Sequence, residues 1–108
     1  MIELREYLAK QGNSPFGDWF ERLHSPASEK VAVALYRLAS GNFSNVKSVG
    51  SGVLEYRIDF GPGYRIYFGR DGERVVILLG GGSKQRQDRD IRQAFDCWVD
   101  FKKRRKVK

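Results

Sequence analysis

The stretch that decides the fold is residues 52–86, GVLEYRIDFGPGYRIYFGRDGERVVILLGGGSKQR. Three runs of apolar and alternating residues are separated there by two sets of turn residues, GPG at 61–63 and Asp71 followed by Gly72. Glycine supplies the positive φ angles that tight turns need, and Asp-Gly between apolar runs is a strong hairpin signal. The stretch therefore predicts three consecutive antiparallel strands.

The two turns also predict how the strands are aligned and which side chains share a face. Phe60 is expected to face Tyr64 across the first turn, and Phe68 to face Val75 across the second. One face is then apolar or aromatic at every paired position, and carries Tyr56, Ile58, Phe60, Tyr64, Ile66, Phe68, Val75, Ile77 and Leu79. The opposite face carries Glu55, Arg57, Asp59, Arg65 and Tyr67, with Val76 and Leu78 behind them. One face is predicted to form a core, whereas the other concentrates charge that folding does not require.

One strand and two helices are predicted before this unit. Ile2 and Leu4 alternate with charged residues, which is typical of a strand. Ser14 and Ser25 are each followed by proline and open two helices, because serine caps a helix N-terminus and proline fits the first turn. The two helices are expected to form a hairpin over the apolar sheet face through the stripes Phe16, Trp19, Phe20, Leu23 and Val31, Ala34, Leu35, Leu38.

The remaining segments complete a single α+β domain over residues 1–108. Residues 42–52 predict a polar connection, and a last helix is expected to begin near Ser83. Its buried stripe consists of Ile91, Ala94, Phe95, Trp98 and Phe101. Residues 102–108, KKRRKVK, are too charged to pack and predict a flexible basic tail. The expected order is β-α-α-β-β-β-α, with an antiparallel-rich curved sheet, the helical hairpin on one face and a C-terminal helix.

Length and composition limit the class of protein. A chain of 108 residues that is 41% hydrophobic is long enough for one core of sheet and helices. No run is long and apolar enough to span a membrane, and the charged start MIELREYL predicts a strand rather than a signal peptide. A single cysteine, Cys97, permits no internal disulfide, so the chain is predicted to work in the reducing cytoplasm.

The net charge of +7 is concentrated in the last quarter of the chain. Residues 1–83 contain ten Lys and Arg against nine Asp and Glu, whereas residues 84–108 contain ten against four. A basic segment on a nearly neutral body indicates a polyanionic or acidic partner, and the alternative is a solubilising tail.

Several familiar catalytic constellations are absent from the sequence. One histidine and one cysteine provide no metal cluster, and a Cys-His pair would require His24 and Cys97 to meet. The glycines at 80–82 lack the spacing of the known phosphate-binding loops. We interpret them instead as a place where the chain turns sharply or another segment approaches closely.

What remains is a group of cations on the charged sheet face. The group consists of Arg57 and Arg65 on neighbouring strands with Tyr67 opposite Arg57, Lys84 and Arg86 beyond the third strand, and Lys47 in the preceding connection. Arginine binds phosphate through its planar fork and tyrosine offers a stacking surface for a base, so the group predicts an RNA cleft. In the alternative interpretation, Glu55 and Asp59 neutralise the arginines as ion pairs on a solvated face.

The order of elements, LEYRIDFGPGYRIYF at 54–68, GGGSKQRQDRDI at 80–91 and the basic helical end resemble the RelE/ParE toxin superfamily. The branch that the chain resembles most is the phage-related addiction module killer protein, or HigB-like, group of type II toxin–antitoxin systems. The resemblance covers nearly the whole chain. Two departures are QDRDI at 87–91, where some RelE members have a tyrosine, and the lack of a His-rich site of the better-known HigB type.

The resemblance implies a toxin that cuts messenger RNA on the ribosome without metal or cofactor. In this chemistry the RNA 2′-hydroxyl attacks the adjacent phosphate, helped by a basic cluster. The resemblance also implies a cognate antitoxin, a small DNA-binding protein for which a helix-turn-helix type is one option, which holds the toxin inactive in a hetero-oligomer. A membrane partner is not expected.

The resemblance also implies roles for single residues. Arg65 matches the central-strand arginine that stabilises the scissile phosphate, and Arg57 and Lys84 are expected beside it as further catalytic residues. The residues expected to bind RNA around them are Lys47, Tyr67 and Arg86.

The general base and the reaction itself leave alternatives open. Lys84, Asp88 and Tyr67 are the candidates for the base, and the other option is cleavage by positioning and electrostatic stabilisation alone. A ParE-like inhibitor of DNA gyrase and a catalytically dead RNA-binding domain are the alternative functions. The presence of Arg57, Arg65 and Lys84 favours the nuclease, because a gyrase inhibitor has no need of a phosphate cleft.

Overall fold

The computed structural model describes residues 1–106, which form five strands, three α-helices and a short 3₁₀ turn. The strands are β1 (Glu3–Glu6), β2 (Val46–Gly50), β3 (Val53–Ile58), β4 (Tyr64–Arg70) and β5 (Val75–Ser83). The helices are α1 (Pro15–Glu21), α2 (Ser25–Ala39) and α3 (Gln87–Lys106), and the 3₁₀ turn is Lys84–Arg86. The predicted α+β class is confirmed. No helix within residues 1–106 is long and apolar enough to cross a membrane.

The five strands form one mixed sheet in the order β1-β5-β4-β3-β2. β1 runs parallel to β5, and the other three pairings are antiparallel. The predicted order with four strands is wrong, because residues 42–52 contain β2, which pairs with β3 along the sheet edge. An edge strand is paired on one side and tolerates polar residues, so the composition of this segment concealed it.

Both predicted helices are present, but the serine cap is confirmed only for α1, because the N-cap of α2 is His24, whose side chain forms no capping hydrogen bond. The Ser14 hydroxyl accepts a hydrogen bond of 2.9 Å from the backbone N–H of Gly17, and Pro15 occupies the first helical position of α1. Ser25 and Pro26 open α2, which ends just before Gly41 with φ +83°. The two helices pack on the same sheet face, as the apolar stripes predict.

The alignment of β3 and β4 differs from the prediction by two residues. Ile58, rather than Phe60, lies opposite Tyr64. The reason is a longer loop, in which the backbone N–H of Gly63 donates to the carbonyl of Phe60 and closes a turn of its own. A shift of two keeps every side chain on its predicted face.

The alignment of β4 and β5 differs by an odd number of residues, so the predicted faces of β5 are wrong. Phe68 lies opposite Leu78 rather than Val75, and a register shift follows between Tyr67 and Phe68. Gly72 has a positive φ but Asp71 does not, so the turn is not the predicted type I′. Because side chains alternate between faces, Val76 and Leu78 join the core under α1 and α2, and Ile77 and Leu79 point the other way.

The sheet therefore has a hydrophobic core on each face. The core beneath α1 and α2 includes Val31, Leu38, Ile66 and Phe68. The core beneath α3 is built from Tyr7, Val53, Tyr67, Ile77, Leu79, Ala94, Cys97 and Trp98. The face that was predicted to be charged and solvated is thus covered by a helix over much of its area.

The last helix continues into the basic run, so the prediction of a flexible tail is wrong for residues 102–106. Arg104 donates to the Leu8 carbonyl and forms a 2.6 Å ion pair with Asp100, and Arg105 pairs with Asp71. These contacts join the end of α3 to the segment that follows β1 and to the β4–β5 turn. The rest of the predicted tail, residues 107–108, lies outside the described residues.

Substitution of Gly69 tests how closely α3 packs on the sheet. A Cβ at Gly69 would lie 2.5 Å from Cζ3 of the buried Trp98 ring, whereas a Cβ at Gly80 has nothing within 4 Å. We expect Gly69→Ala to lower the free energy of unfolding by about 1–3 kcal/mol, because overpacking a core forces side chains from their rotamers. Urea denaturation measures the change. Gly80→Ala is the matched control, and equal losses for the two variants would contradict this account of the packing.

Candidate nucleic-acid interface

Four of the predicted cations meet at one end of the sheet. Lys47 lies at the start of β2, Arg57 near the end of β3, Arg65 at the start of β4, and Lys84 directly after β5. These positions coincide in space because the strands run antiparallel. They line an open groove of about 630 Å³, which we call the basic groove, together with residues 44–46 and the loop around Gly63.

The two arginines of the basic groove lie directly opposite each other. Arg57 pairs with Arg65 in the β3–β4 ladder, so both side chains leave the sheet on the same face. The prediction that Tyr67 lies opposite Arg57 is wrong, since Tyr67 lies opposite Glu55. Like charges that face each other across a ladder destabilise a sheet. This pair therefore favours an anionic ligand over a purely structural role.

A buried carboxylate neutralises part of the positive charge of the basic groove. Glu55 has no exposed surface, and its carboxylate lies 3.7 Å from Arg65 Nε and 3.9 Å from Lys47 Nζ. The predicted ion pair of Glu55 with an arginine is therefore present, but it lies in the interior and not on a solvated face. Among residues 1–106, neither Arg57 nor Lys84 has a carboxylate within salt-bridge distance.

Arg65 is itself 95% buried while it lines the basic groove. Its Nε has no hydrogen-bond partner among the described residues, because 3.7 Å to Glu55 is too long for a hydrogen bond. Because Nε is buried on the side of Glu55, the part of Arg65 that can meet a ligand is the remainder of the guanidinium, whose planar set of donors matches an oxyanion.

The start of α3 determines where the basic groove begins. The Gln87 side-chain amide donates a 2.8 Å hydrogen bond to Glu55 Oε2, and Gln87 is the first residue of α3. On the Tyr67 side of this contact, α3 covers the sheet face. On the Arg57 side, the sheet face is open. Glu55 and Arg65 therefore lie at the boundary between the core and the groove.

The loop between β3 and β4 forms another wall of the basic groove. The backbone N–H of Lys84 donates a 2.9 Å hydrogen bond to the Gly63 carbonyl, which joins the loop to the 3₁₀ turn. A Cβ at Gly63 would lie 3.1 Å from Arg65 Nη1, and its φ is +83°. Glycine at this position thus provides both the backbone conformation and the space beside the guanidinium.

Three of the predicted site residues lie elsewhere. Tyr67 is completely buried under α3, so the prediction that it stacks on a base is wrong. Burial raises its pKa strongly, which also removes it as a general base. Arg86 lines a second groove next to Gly81, and Asp88 is exposed on the first turn of α3, outside the lining of the basic groove.

The other sequence features have structural roles. A Cβ at Gly81 would clash with the Trp19 ring, and one at Gly82 with Asp90, so the triplet at 80–82 permits close approach, as predicted. His24 is exposed at the N-cap of α2, whereas Cys97 belongs to α3 and is buried between that helix and the opposite face of the sheet. Within the described part of the chain, no group of three or more His, Cys, Asp or Glu is arranged to hold a metal ion.

Two features of the site were missed from the sequence. The sequence did not indicate that Gln87 binds Glu55, and Glu55 itself was expected on a solvated face. The burial of a strand carboxylate such as Glu55 can be predicted only when the helix that covers that part of the sheet is known. For this site that element is α3, which lies about thirty residues further along the chain.

Removing the Glu55 charge tests whether it compensates the buried arginine. We expect Glu55→Gln to lower the free energy of unfolding by about 3–5 kcal/mol, because loss of one partner leaves a buried charge uncompensated. Asp59→Asn removes the same charge from an exposed position at the end of the same strand, and we expect a change within about 0.5 kcal/mol. Chemical denaturation compares the two variants. Similar losses would show that Glu55 does not hold Arg65.

Thiol reactivity tests the burial of Cys97. Burial raises the pKa of this thiol to about 11, with smaller contributions from Asp96 and Asp100. At pH 8 the thiolate fraction is then about a hundredfold below that of an ordinary cysteine, so we expect slow reaction with a disulfide reagent. Unfolding in urea should restore a normal rate. Rapid reaction of the folded protein would contradict the burial of this side chain.

Comparison with known proteins extends these observations to a family. No protein-family model matches the chain. An uncharacterized protein of Haemophilus influenzae (strain ATCC 51907 / DSM 11121 / KW20 / Rd) is 45% identical over 80 residues, which cover 73% of this chain and 81% of that protein. The chain therefore belongs to the same family as this uncharacterized Haemophilus influenzae protein.

Proposed function

We propose that this protein is the toxin of a type II toxin–antitoxin system and cuts messenger RNA on the ribosome. The observation that carries the proposal is the opposed pair Arg57 and Arg65 in an open groove, with one guanidinium buried and Lys84 at the rim. This cluster has more positive charge than its neighbouring carboxylates neutralise. A phosphodiester supplies the missing negative charge, and its oxygens match the arginine fork.

The geometry suits attack of the RNA 2′-hydroxyl on the neighbouring phosphate. In that reaction the 2′-hydroxyl loses its proton as its oxygen bonds to phosphorus, and the bond to the 5′-oxygen breaks as that oxygen gains a proton. The products are a 2′,3′-cyclic phosphate and a 5′-hydroxyl, and negative charge builds on the phosphate oxygens in the transition state. Arg65 is held in place by Glu55 and the β-sheet, so its donors are already oriented before the substrate arrives. Such preorganised donors stabilise the transition state more than the ground state.

Lys84 is the best placed of the proposed proton-transfer groups. It is exposed at the rim of the basic groove, while its backbone is tied to the Gly63 carbonyl. Tyr67 is buried and Asp88 lies outside the groove, so the two other candidates have no access to a bound phosphate. We assign Lys84 to the proton transfer, and we assign positioning and electrostatic stabilisation to Arg57 and Arg65.

The architecture supports the same proposal. An N-terminal strand, a helical hairpin, a run of antiparallel strands and a C-terminal helix follow the order in the RelE/ParE superfamily, with β2 as an additional edge strand. A toxin of this kind requires a cognate antitoxin, and we propose a small DNA-binding protein that forms a hetero-oligomer with this chain. We propose the cytoplasm as the compartment, because the ribosome is there.

Primer extension on transcripts after induction tests the proposal. We expect cuts within translated codons, and their loss when the start codon of the transcript is removed. Arg57→Gln and Lys84→Gln change exposed residues, so the fold should be retained while cleavage falls by about 10²–10³. Arg37→Gln, an exposed arginine on α2 away from the basic groove, is the matched control and should cleave normally.

Two other results would replace the proposal with a named alternative. Growth arrest with intact transcripts and loss of DNA supercoiling would indicate a ParE-like inhibitor of DNA gyrase. Binding of RNA without cuts or growth arrest would indicate a catalytically dead RNA-binding domain.

A further inference from the structure

A second groove lies on the other side of the 3₁₀ turn. We call it the glycine groove, because its floor is formed by the three glycines at 80–82. It has a volume of about 460 Å³ and runs between α1 and the start of α3. Its walls include the side chains of Asp18, Trp19, Arg22, Arg86, Arg89 and Asp90.

The glycine groove exists because β5 is longer than the strand beside it. β1 pairs with β5 over Val75 to Leu78, whereas β5 continues to Ser83. Beyond Leu78 the β1 side of β5 has no strand partner within residues 1–106, and the glycines leave open space at Gly80 and let the Asp90 carboxylate approach Gly82 closely. The Trp19 ring lies over Gly81 and forms one wall.

The charge of the glycine groove favours an anionic ligand. Arg22, Arg86 and Arg89 are all exposed, and none of them forms a salt bridge with a described residue. Of the two carboxylates, Asp18 accepts a hydrogen bond of 3.1 Å from the Asn13 side chain. Burial raises the pKa of Asp90, and the neighbouring Arg86 and Arg89 act in the opposite direction. The three arginines thus outnumber the two carboxylates along the groove.

The glycine groove and the basic groove are joined by three residues. Lys84 lines the basic groove and Arg86 lines the glycine groove, and both belong to the 3₁₀ turn Lys84–Arg86. Cations thus continue from Arg57 through this turn to Arg89 on α3. A positively charged path beside an aromatic ring is the arrangement by which proteins bind single-stranded nucleic acid, with phosphates on the cations and a base on the ring.

We propose that the glycine groove binds the nucleotides that flank the phosphate held in the basic groove. The RNA strand crosses the turn Lys84–Arg86, places its next phosphates against Arg86, Arg22 and Arg89, and stacks one base on Trp19. This inference rests on the proposed function, since it takes the same RNA as ligand. An extended acidic peptide is less favoured, because the unpaired edge of β5 is short, whereas the line of cations extends through both grooves.

Fluorescence anisotropy with two lengths of RNA tests the inference. The probes are 2′-O-methyl RNAs of about four and about twelve nucleotides, which resist cleavage by a 2′-hydroxyl, and the longer one should bind at least about tenfold more tightly. Arg22→Gln and Arg89→Gln should each weaken binding of the longer RNA by about three- to tenfold and lower its salt dependence, because phosphate contacts release counterions. Binding of the shorter RNA should stay unchanged in both variants. Arg57→Gln should weaken binding of both RNAs, and Arg37→Gln should change neither.

The other outcomes distinguish failure of the role proposed for the glycine groove from failure of the proposed function. Equal affinity for the two lengths, or no effect of Arg22→Gln and Arg89→Gln, would overturn the role of the glycine groove and leave the proposed function intact. If neither RNA binds and transcripts stay uncut, the proposed function fails and the inference fails with it. Binding of an acidic peptide that Arg22→Gln weakens, without a gain from RNA length, would assign the groove to a protein partner instead.

Discussion

The pairing of one buried carboxylate with a buried guanidinium is the constraint on which the site depends. Glu55 is fully enclosed and contacts Arg65, Lys47 and Gln87, which come from two neighbouring strands and from the start of α3. Desolvation of two charges is costly, so such a pair persists only where several elements hold it. The same contacts that enclose Glu55 fix the guanidinium in the wall of the basic groove. Stability and the geometry of the site are therefore joined in one set of interactions.

The covering helix converts a uniform sheet face into two regions of different character. Where α3 lies on the sheet, Tyr67 and Trp98 form part of a core, and glycine at position 69 allows the indole ring to approach the backbone. Where α3 has not yet begun, Arg57 and Lys84 remain exposed. The helix begins next to the groove because the 3₁₀ turn after β5 is tied to the β3–β4 loop. A basic groove beside a rigid core is well suited to hold a phosphate in one orientation.

Much of the fold and part of the site could be predicted from local patterns. The start of α1 follows from capping by Ser14, the start of α2 follows from the proline in its first turn, and the strands of residues 52–86 follow from alternation and turn residues. The register did not follow, because both loops are longer than the shortest turns, and the odd shift between β4 and β5 moves side chains of β5 to the other face. The strand β2 was missed because its polar composition is ordinary for a sheet edge. The end of α3 was missed because its charges are matched by Asp100 one turn earlier in the same helix and by Asp71, which is distant in sequence.

The sequence by itself determined the α+β class, the first two helices, the central hairpins and the presence of Arg57, Arg65 and Lys84 in positions that antiparallel strands bring together. These features depend on interactions between residues close in the chain, or on the period of a strand. The tertiary structure alone decided that Tyr67 is core rather than ligand surface, that Glu55 is buried, and that Arg86 faces a second groove. The physical reason is that burial depends on which helix covers which part of the sheet, and that is set by contacts between distant segments.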